Sequence, residues 1–233
     1  EMPFLYNPSK GYIATANNKI VDDDYPYYIS NQWAEPSRIE RIEEWLESKE
    51  KLNVQDMKTL QNDWLSPFAR EVVPDIVKWL PKDLDANAET ALKILNDWNY
   101  VEHKESAAAL IFHTVLDELL HNIYEDELSM IDEKAFDALM HFSMFPYRNI
   151  HWVLAEDQSS WIDDVTTPGY IEPLSDIVTK SFFNAIKRIE RDVGINPSVW
   201  TWGTVHTLTH PHPLGKISIL NKLFGLNVGS FRA

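Results

Sequence analysis

The stretch from Ala107 to Leu120 constrains this chain more than any other. Leu110, Ile111, Val115, Leu116 and Leu119 leave so little of it polar that, as a helix, it has to be surrounded by other elements. The same periodicity shows what surrounds it. Pro36-Ser37 opens a helix with Ile39, Ile42, Trp45 and Leu46 on one face and Glu43, Glu44 and Glu47 opposite. Asn53 is placed to cap a second helix carrying Met57, Leu60, Trp64 and Leu65. Pro67 kinks or restarts it before Phe68 to Leu80, where Pro74 adds a bend. Ala86 to Trp98, Ile131 to Met144 with Asp132 as cap, and Leu174 to Val193 read as further helices. The acidic residues Asp117, Glu118, Glu125, Asp126, Glu127 and Asp132 read as a solvated face or a turn. The expectation is a mainly α chain, a helical block flanked by short β-strands. The first strand is Tyr12 to Ala16. The second is Trp200 to Leu208, where Val205, Thr207 and Thr209 alternate with His206, Leu208 and His210 until Pro211 and Pro213.

Composition agrees with a folded chain and narrows its partners. At 233 residues, 44% apolar and 12% aromatic, it can bury a substantial core in one large or two small domains. A net charge of −15 argues against nucleic acid or an anionic membrane as partner, since both demand a basic face. No segment reaches the roughly 18 uncharged apolar residues of a membrane span. With no Cys there are no disulfides or thiolate metal sites, which fits oxidising and reducing compartments alike. Gly is scarce, seven in all, and no phosphate-cradling Gly-rich loop or internal repeat occurs.

The strand Tyr12 to Ala16 delivers two adjacent carboxamides, Asn17 and Asn18, into a polar turn. An Asn NH₂ is an uncharged donor with no proton to lose, suited to stabilising a developing oxyanion in acyl transfer. Alone, Asn-Asn in a loop is more often a turn, and Arg38 at a helix start a solvated charge. His206, His210 and His212 cluster in sequence but lack a nearby carboxylate, which speaks against a metal site there; His113 and His121 lack the His-Glu-x-x-His spacing of zinc proteases, so they are expected as buried or partly buried core histidines. Asp22-Asp23-Asp24 and Asp163-Asp164 offer oxygen ligands to a hard cation.

Taken in order, these pieces resemble the penicillin acylases of the N-terminal-nucleophile hydrolase superfamily. The resemblance begins with Gly11-Tyr12-Ile13, Ala16-Asn17-Asn18, Tyr25-Pro26, Trp33 and Arg38-Ile39-Glu40-Arg41-Ile42. It continues through Leu60-Gln61-Asn62-Asp63, Leu95 to Trp98 and Glu105-Ser106-Ala107-Ala108. It ends with Trp200-Thr201-Trp202-Gly203-Thr204-Val205-His206 and His212-Pro213-Leu214-Gly215. It implies an amide hydrolase in which Asn17 matches the Asn that helps form the oxyanion hole and Arg38 an Arg that organises the site beside the nucleophile. Asn18 is the weaker candidate, and His206 and His212 are structural in this reading.

The family's nucleophile is a Ser, in some relatives Thr or Cys, whose own α-amine acts as base; with an unperturbed pKa near 8 it can accept a proton at neutral pH. This chain opens Glu1-Met2-Pro3, so the resemblance places the nucleophile upstream. The expectation is a fragment of a β subunit, inactive alone, of an αββα hydrolase. Residues 1–35 would hold a strand and active-site loop, 36–195 a helical region, and 196–233 a strand and a truncated His-Pro-Leu-Gly segment. Its implied partners are the rest of the same precursor, the α subunit and the N-terminal part of the β subunit, and a small acyl-amide substrate. Its implied location is periplasmic or secreted. No organic cofactor is implied. Several family members hold a structural calcium, but an Asp they use soon after Tyr-Pro has no counterpart in Tyr27-Tyr28-Ile29-Ser30, which speaks against calcium here. The alternative is a non-enzymatic helical domain that binds a protein through aromatic-rich grooves, for which nine Trp would be suited.

Overall fold

A computed structural model describes residues 2–141, 144–156, 159–208, 213–224 and 231–232. Helices α1 (Ser37–Glu47), α2 (Val54–Leu60), α3 (Pro67–Trp79) and α4 (Ala86–Asn96) lead to a long central helix, α5 (Ala107–Ile131). Then come α6 (Ala135–His141), α7 (Met144–Glu156), α8 (Leu174–Asp192), the short α9 (Trp202–Val205) and α10 (Ser218–Phe224). Strands β1 (Thr207–Leu208) and β2 (Phe231–Arg232) pair antiparallel, Thr207 opposite Arg232 and Leu208 opposite Phe231. The molecule is thus mainly helical, as its periodicity predicts. Among the described residues no helix is long and apolar enough to cross a membrane.

Local chemistry sets the helix starts. Asn53 Oδ1 accepts the N–H groups of Gln55 and Asp56, while the Asp56 carboxylate reaches back to the Asn53 N–H, a reciprocal capping box. Ser66 caps α3 with Pro67 in its first turn, Asp85 caps α4, and Ser106 caps α5 through the Ala109 N–H at 3.1 Å. Pro67 therefore restarts the chain as a helix. Pro74 is accommodated inside α3, where it removes the N–H that the Arg70 carbonyl would otherwise accept.

The core forms around α5, as its composition demands. Leu110, Ile111, Val115, Leu119, Leu120 and Ile123 are fully buried, and α8 packs along α5 with Ile177, Val178, Phe182, Ala185 and Ile189. A polar tie crosses this apolar seam. Asn122 Nδ2 donates to the buried Ser181 Oγ at 3.0 Å, and that hydroxyl donates to the Ile177 carbonyl. Every buried polar group in the tie has a partner.

Four sequence expectations are decided by the structure. Of the two readings of the acidic stretch, the solvated helical face stands and the turn does not, because Ile123, Tyr124 and Leu128 continue the apolar side and carry α5 on to Ile131. Asp132 accordingly ends α5 with an extended backbone. The segment expected as one helix, Ile131 to Met144, belongs to three, the end of α5, α6 and the start of α7. Trp200 to Leu208 is mostly not a strand either. Trp202 to Val205 forms a helical turn whose Trp202 and Gly203 N–H groups bond the Ser106 and Lys104 carbonyls, so only Thr207 and Leu208 remain for a ladder. Tyr12 to Ala16 alternates half-buried and exposed residues as a strand would, but it pairs with no strand among the described residues. Thr209, His210, Pro211 and His212 lie outside the described residues.

Candidate active site

The opening segment is laid across α1 by side-chain bonds. Tyr12 Oη donates to Glu47 at 2.6 Å, and the Lys10 ammonium pairs with Glu43. This puts the end of the extended run beside the start of α1. At Asn17 the backbone turns left-handed, with φ of 63°, a conformation that Asn tolerates better than other non-glycine residues. The Asn17 carbonyl accepts the Ala34 N–H at 2.9 Å, which closes the 17–34 loop on itself.

Arg38 reaches back from the first turn of α1 across this corner. Its Nη2 donates to the Ala16 carbonyl at 2.6 Å and to Asn17 Oδ1 at 2.8 Å. A guanidinium has donors only, so the carboxamide atom facing it must be the oxygen and the amide orientation is fixed. Among the described residues the Asn17 NH₂ has no partner, and Asn17 is exposed. Asn18 differs sharply. Its Oδ1 accepts the Ala16 N–H and its Nδ2 donates to the Lys19 carbonyl, both at 3.0 Å, so its amide is consumed by the local turn. Of two adjacent carboxamides, one keeps a donor for another molecule.

Arg38 also borders a cleft of about 700 Å³ between α1, the start of α3 and α9. Ile42, Leu60, Trp64, Leu65 and Trp202 give it apolar walls. Arg41, one turn further along α1, is occupied by the carboxylates of Asp63 and Glu44 and holds the wall in place. On the far side the rings of His113, Trp202 and His206 stack in a row, with centroids 4.3 and 4.6 Å apart. Glu102 stands beside His113, Nε2 to Oε1 at 3.2 Å. Burial pushes the Glu102 carboxyl up, but the His113 contact and charge, helped by Ser66 and His206, outweigh it and hold the group below its ordinary value.

The structure therefore brings Asn17 and Arg38 into direct contact and places His206 across the cleft. His113 is half-buried, and His121 meets Glu125 at 3.1 Å with its ring against Phe136. Among the described residues no three His, Asp or Glu side chains are grouped to hold a metal ion; Asp22, Asp23 and Asp24 are exposed. The Trp residues divide. Trp98 and Trp200 are core, whereas Trp64 and Trp152 stand in the open. The Ala34 N–H and Ala16 carbonyl that frame the site carry no side-chain signature in the sequence. Trp202 and His206 carry one, a spacing of four that puts them on one helical face, but the alternating pattern of Val205 to Leu208 masks it.

A model of the penicillin amidase family matches residues 1–233. The chain is 28% identical over 229 residues to the acyl-homoserine lactone acylase QuiP of Pseudomonas syringae pv. tomato, covering 92% of this chain and 28% of that protein. It is 26% identical over 218 residues to QuiP of Pseudomonas aeruginosa, with 88% and 26% covered. Over 66 residues it is 41% identical to penicillin acylase 2 proenzyme of Pseudomonas sp., covering 28% of this chain and 8% of the proenzyme. The fold superimposes on a thermostable penicillin G acylase from Alcaligenes faecalis with a TM-score of 0.55 at 18% identity, over 84% of this chain and 39% of that one. The chain thus spans less than a third of the length of these curated relatives.

Proposed function

The chain belongs to the penicillin amidase family, and from that premise we propose that it forms part of a hydrolase that cleaves acyl amides and supplies one donor of its oxyanion hole. A Ser outside these residues attacks the acyl carbonyl, and its own α-amine takes the proton. The carbonyl oxygen gains charge as the tetrahedral intermediate forms, and the Asn17 Nδ2–H donates to it. Collapse expels the amine, which receives that proton from the α-ammonium, and water, deprotonated in turn by the α-amine, then releases the acyl group as its acid and restores the Ser hydroxyl. Arg38 acts one step removed. By holding Asn17 Oδ1 it fixes which way the amide points, so little reorganisation is needed when charge appears.

The observation that carries this reading is the asymmetry between the two carboxamides, Asn18 spent on its own turn and Asn17 clamped by Arg38 with its donor unpaired among the described residues. Penicillins and acyl-homoserine lactones, the compounds in the relatives' names, are the substrates to try first. An export to the periplasm and assembly with the remainder of a processed precursor belong to the same reading, as does inactivity of the 233 residues by themselves. In the full-length enzyme, Asn17→Ala should lower kcat a hundredfold or more, the roughly 3 kcal/mol that one such donor supplies. Wild-type turnover in that variant would remove Asn17 from the mechanism.

A further inference from the structure

A second cleft, of about 660 Å³, opens on the other side of the 17–34 loop, between that loop and α7. The geometry points to a binding site for a flat aromatic carboxylate, lined by the Arg148 guanidinium and by aromatic rings. Arg148 and Trp152 lie one turn apart on α7 and so share a face, and the loop brings Tyr27, Tyr28 and Trp33 opposite them.

Two features of this cleft call for an occupant. Arg148 is half-buried yet among the described residues makes a single hydrogen bond, Nη1 to the Trp33 carbonyl at 3.4 Å, long for such a bond. No carboxylate of the described residues pairs with it, although five N–H donors in a planar fork match a carboxylate two bonds at a time. Around it, Tyr27, Tyr28 and Trp152 leave 63%, 80% and 62% of their surfaces exposed, and such rings lose little entropy when a planar ligand stacks on them. The acidic residues of the cleft do not pair with Arg148. Asp23 is exposed and taken by Lys19, and Asp22 is exposed. Asn18 and Ala34 also line the cleft, and the Ala34 N–H holds the Asn17 carbonyl, so a ligand here sits against the back of the loop that carries the candidate oxyanion donor.

The test follows the indole N–H resonances of Trp33 and Trp152 by NMR while the protein is titrated with 2-naphthoate and with its neutral isostere 2-naphthamide. Naphthoate should shift both signals saturably and bind at least tenfold more tightly than naphthamide. Arg148→Gln can still donate to the Trp33 carbonyl, and it should reduce naphthoate to the affinity of naphthamide. Trp152→Ala should weaken both ligands, and Arg148→Lys should keep the preference for the acid at lower affinity, because charge survives while the fork is lost. Equal affinities in the wild type, an absence of saturable shifts, or an undiminished preference in Arg148→Gln would overturn the inference. No turnover is measured, so the outcome is independent of whether the enzyme hydrolyses amides.

Discussion

At the scale of single residues, position 17 does two things, and they can be separated. Its backbone is left-handed, which costs most side chains roughly 1 kcal/mol and glycine nothing. Asn17→Gly should therefore lose turnover as fully as Asn17→Ala in the full-length enzyme, while only the alanine variant also loses about 1 kcal/mol of stability in denaturant unfolding. Equal stability of the two would mean that the turn relaxes. Arg38 is exposed and among the described residues bonds only Ala16 and Asn17, so Arg38→Ala should leave the thermal midpoint nearly unchanged. Its effect should fall on kcat, by about tenfold to a hundredfold, the 1.5–3 kcal/mol of a hydrogen bond to a charged group. A change confined to KM would make Arg38 a substrate-binding group. Sequence alone could not have joined these residues. They are 21 positions apart, with no periodic relation, and only the family resemblance placed them in one site. The resemblance already ranks Asn18 second, but the physical cause is invisible in sequence for the opposite reason, since it depends on two bonds within one turn of backbone.

At the scale of elements, legibility followed the strength of the apolar period. The helices beginning at Ser37, Val54, Ala86, Ala107 and Leu174 begin where their caps or their apolar stripes say they should. Boundaries failed where polar residues continued a helix, as Glu125 to Glu127 do in α5, because helix-favouring acidic side chains look the same on a solvated helical face as in a loop. The short turn at α9 failed because its conformation is set by partners distant in sequence, the Lys104 and Ser106 carbonyls and the His113 ring. The α5–α8 seam gives the energetic measure of the core. Leu119 is fully buried in it, and Leu119→Ala should cost about 2–5 kcal/mol in chemical denaturation. Ile131, at the end of the same helix and 77% exposed, is the control, and its alanine variant should stay within about 0.5 kcal/mol of wild type. Comparable losses at both positions would contradict this packing.

For the whole molecule, the acidic end of α5 sets a pH dependence. Burial, reinforced by the neighbouring Asp126 and Asp163, pushes the Glu127 carboxyl up to about 7. The unfolded chain releases that proton near 4.3. Between these values the folded state holds the extra proton, so stability falls as pH rises through the window and levels off above about 7. Glu127→Gln should raise the thermal midpoint at pH 8, match wild type only below about pH 4 and flatten the profile between them. A midpoint that climbs from pH 5 to 7 in wild type would refute the assignment. The carboxyls held low, such as Asp56 through Lys49 and Asp164 through Thr166, lose their contribution only in acid. α5 itself joins that acidic end to the cleft, since Ser106 and Lys104 grip α9 at its beginning while Asp126 holds the Val165 N–H near its end. Its 25 residues make a rod of about 37 Å. As a lever of that length, a tilt of about 5° at one end displaces the other by roughly 3 Å, enough to part a hydrogen bond.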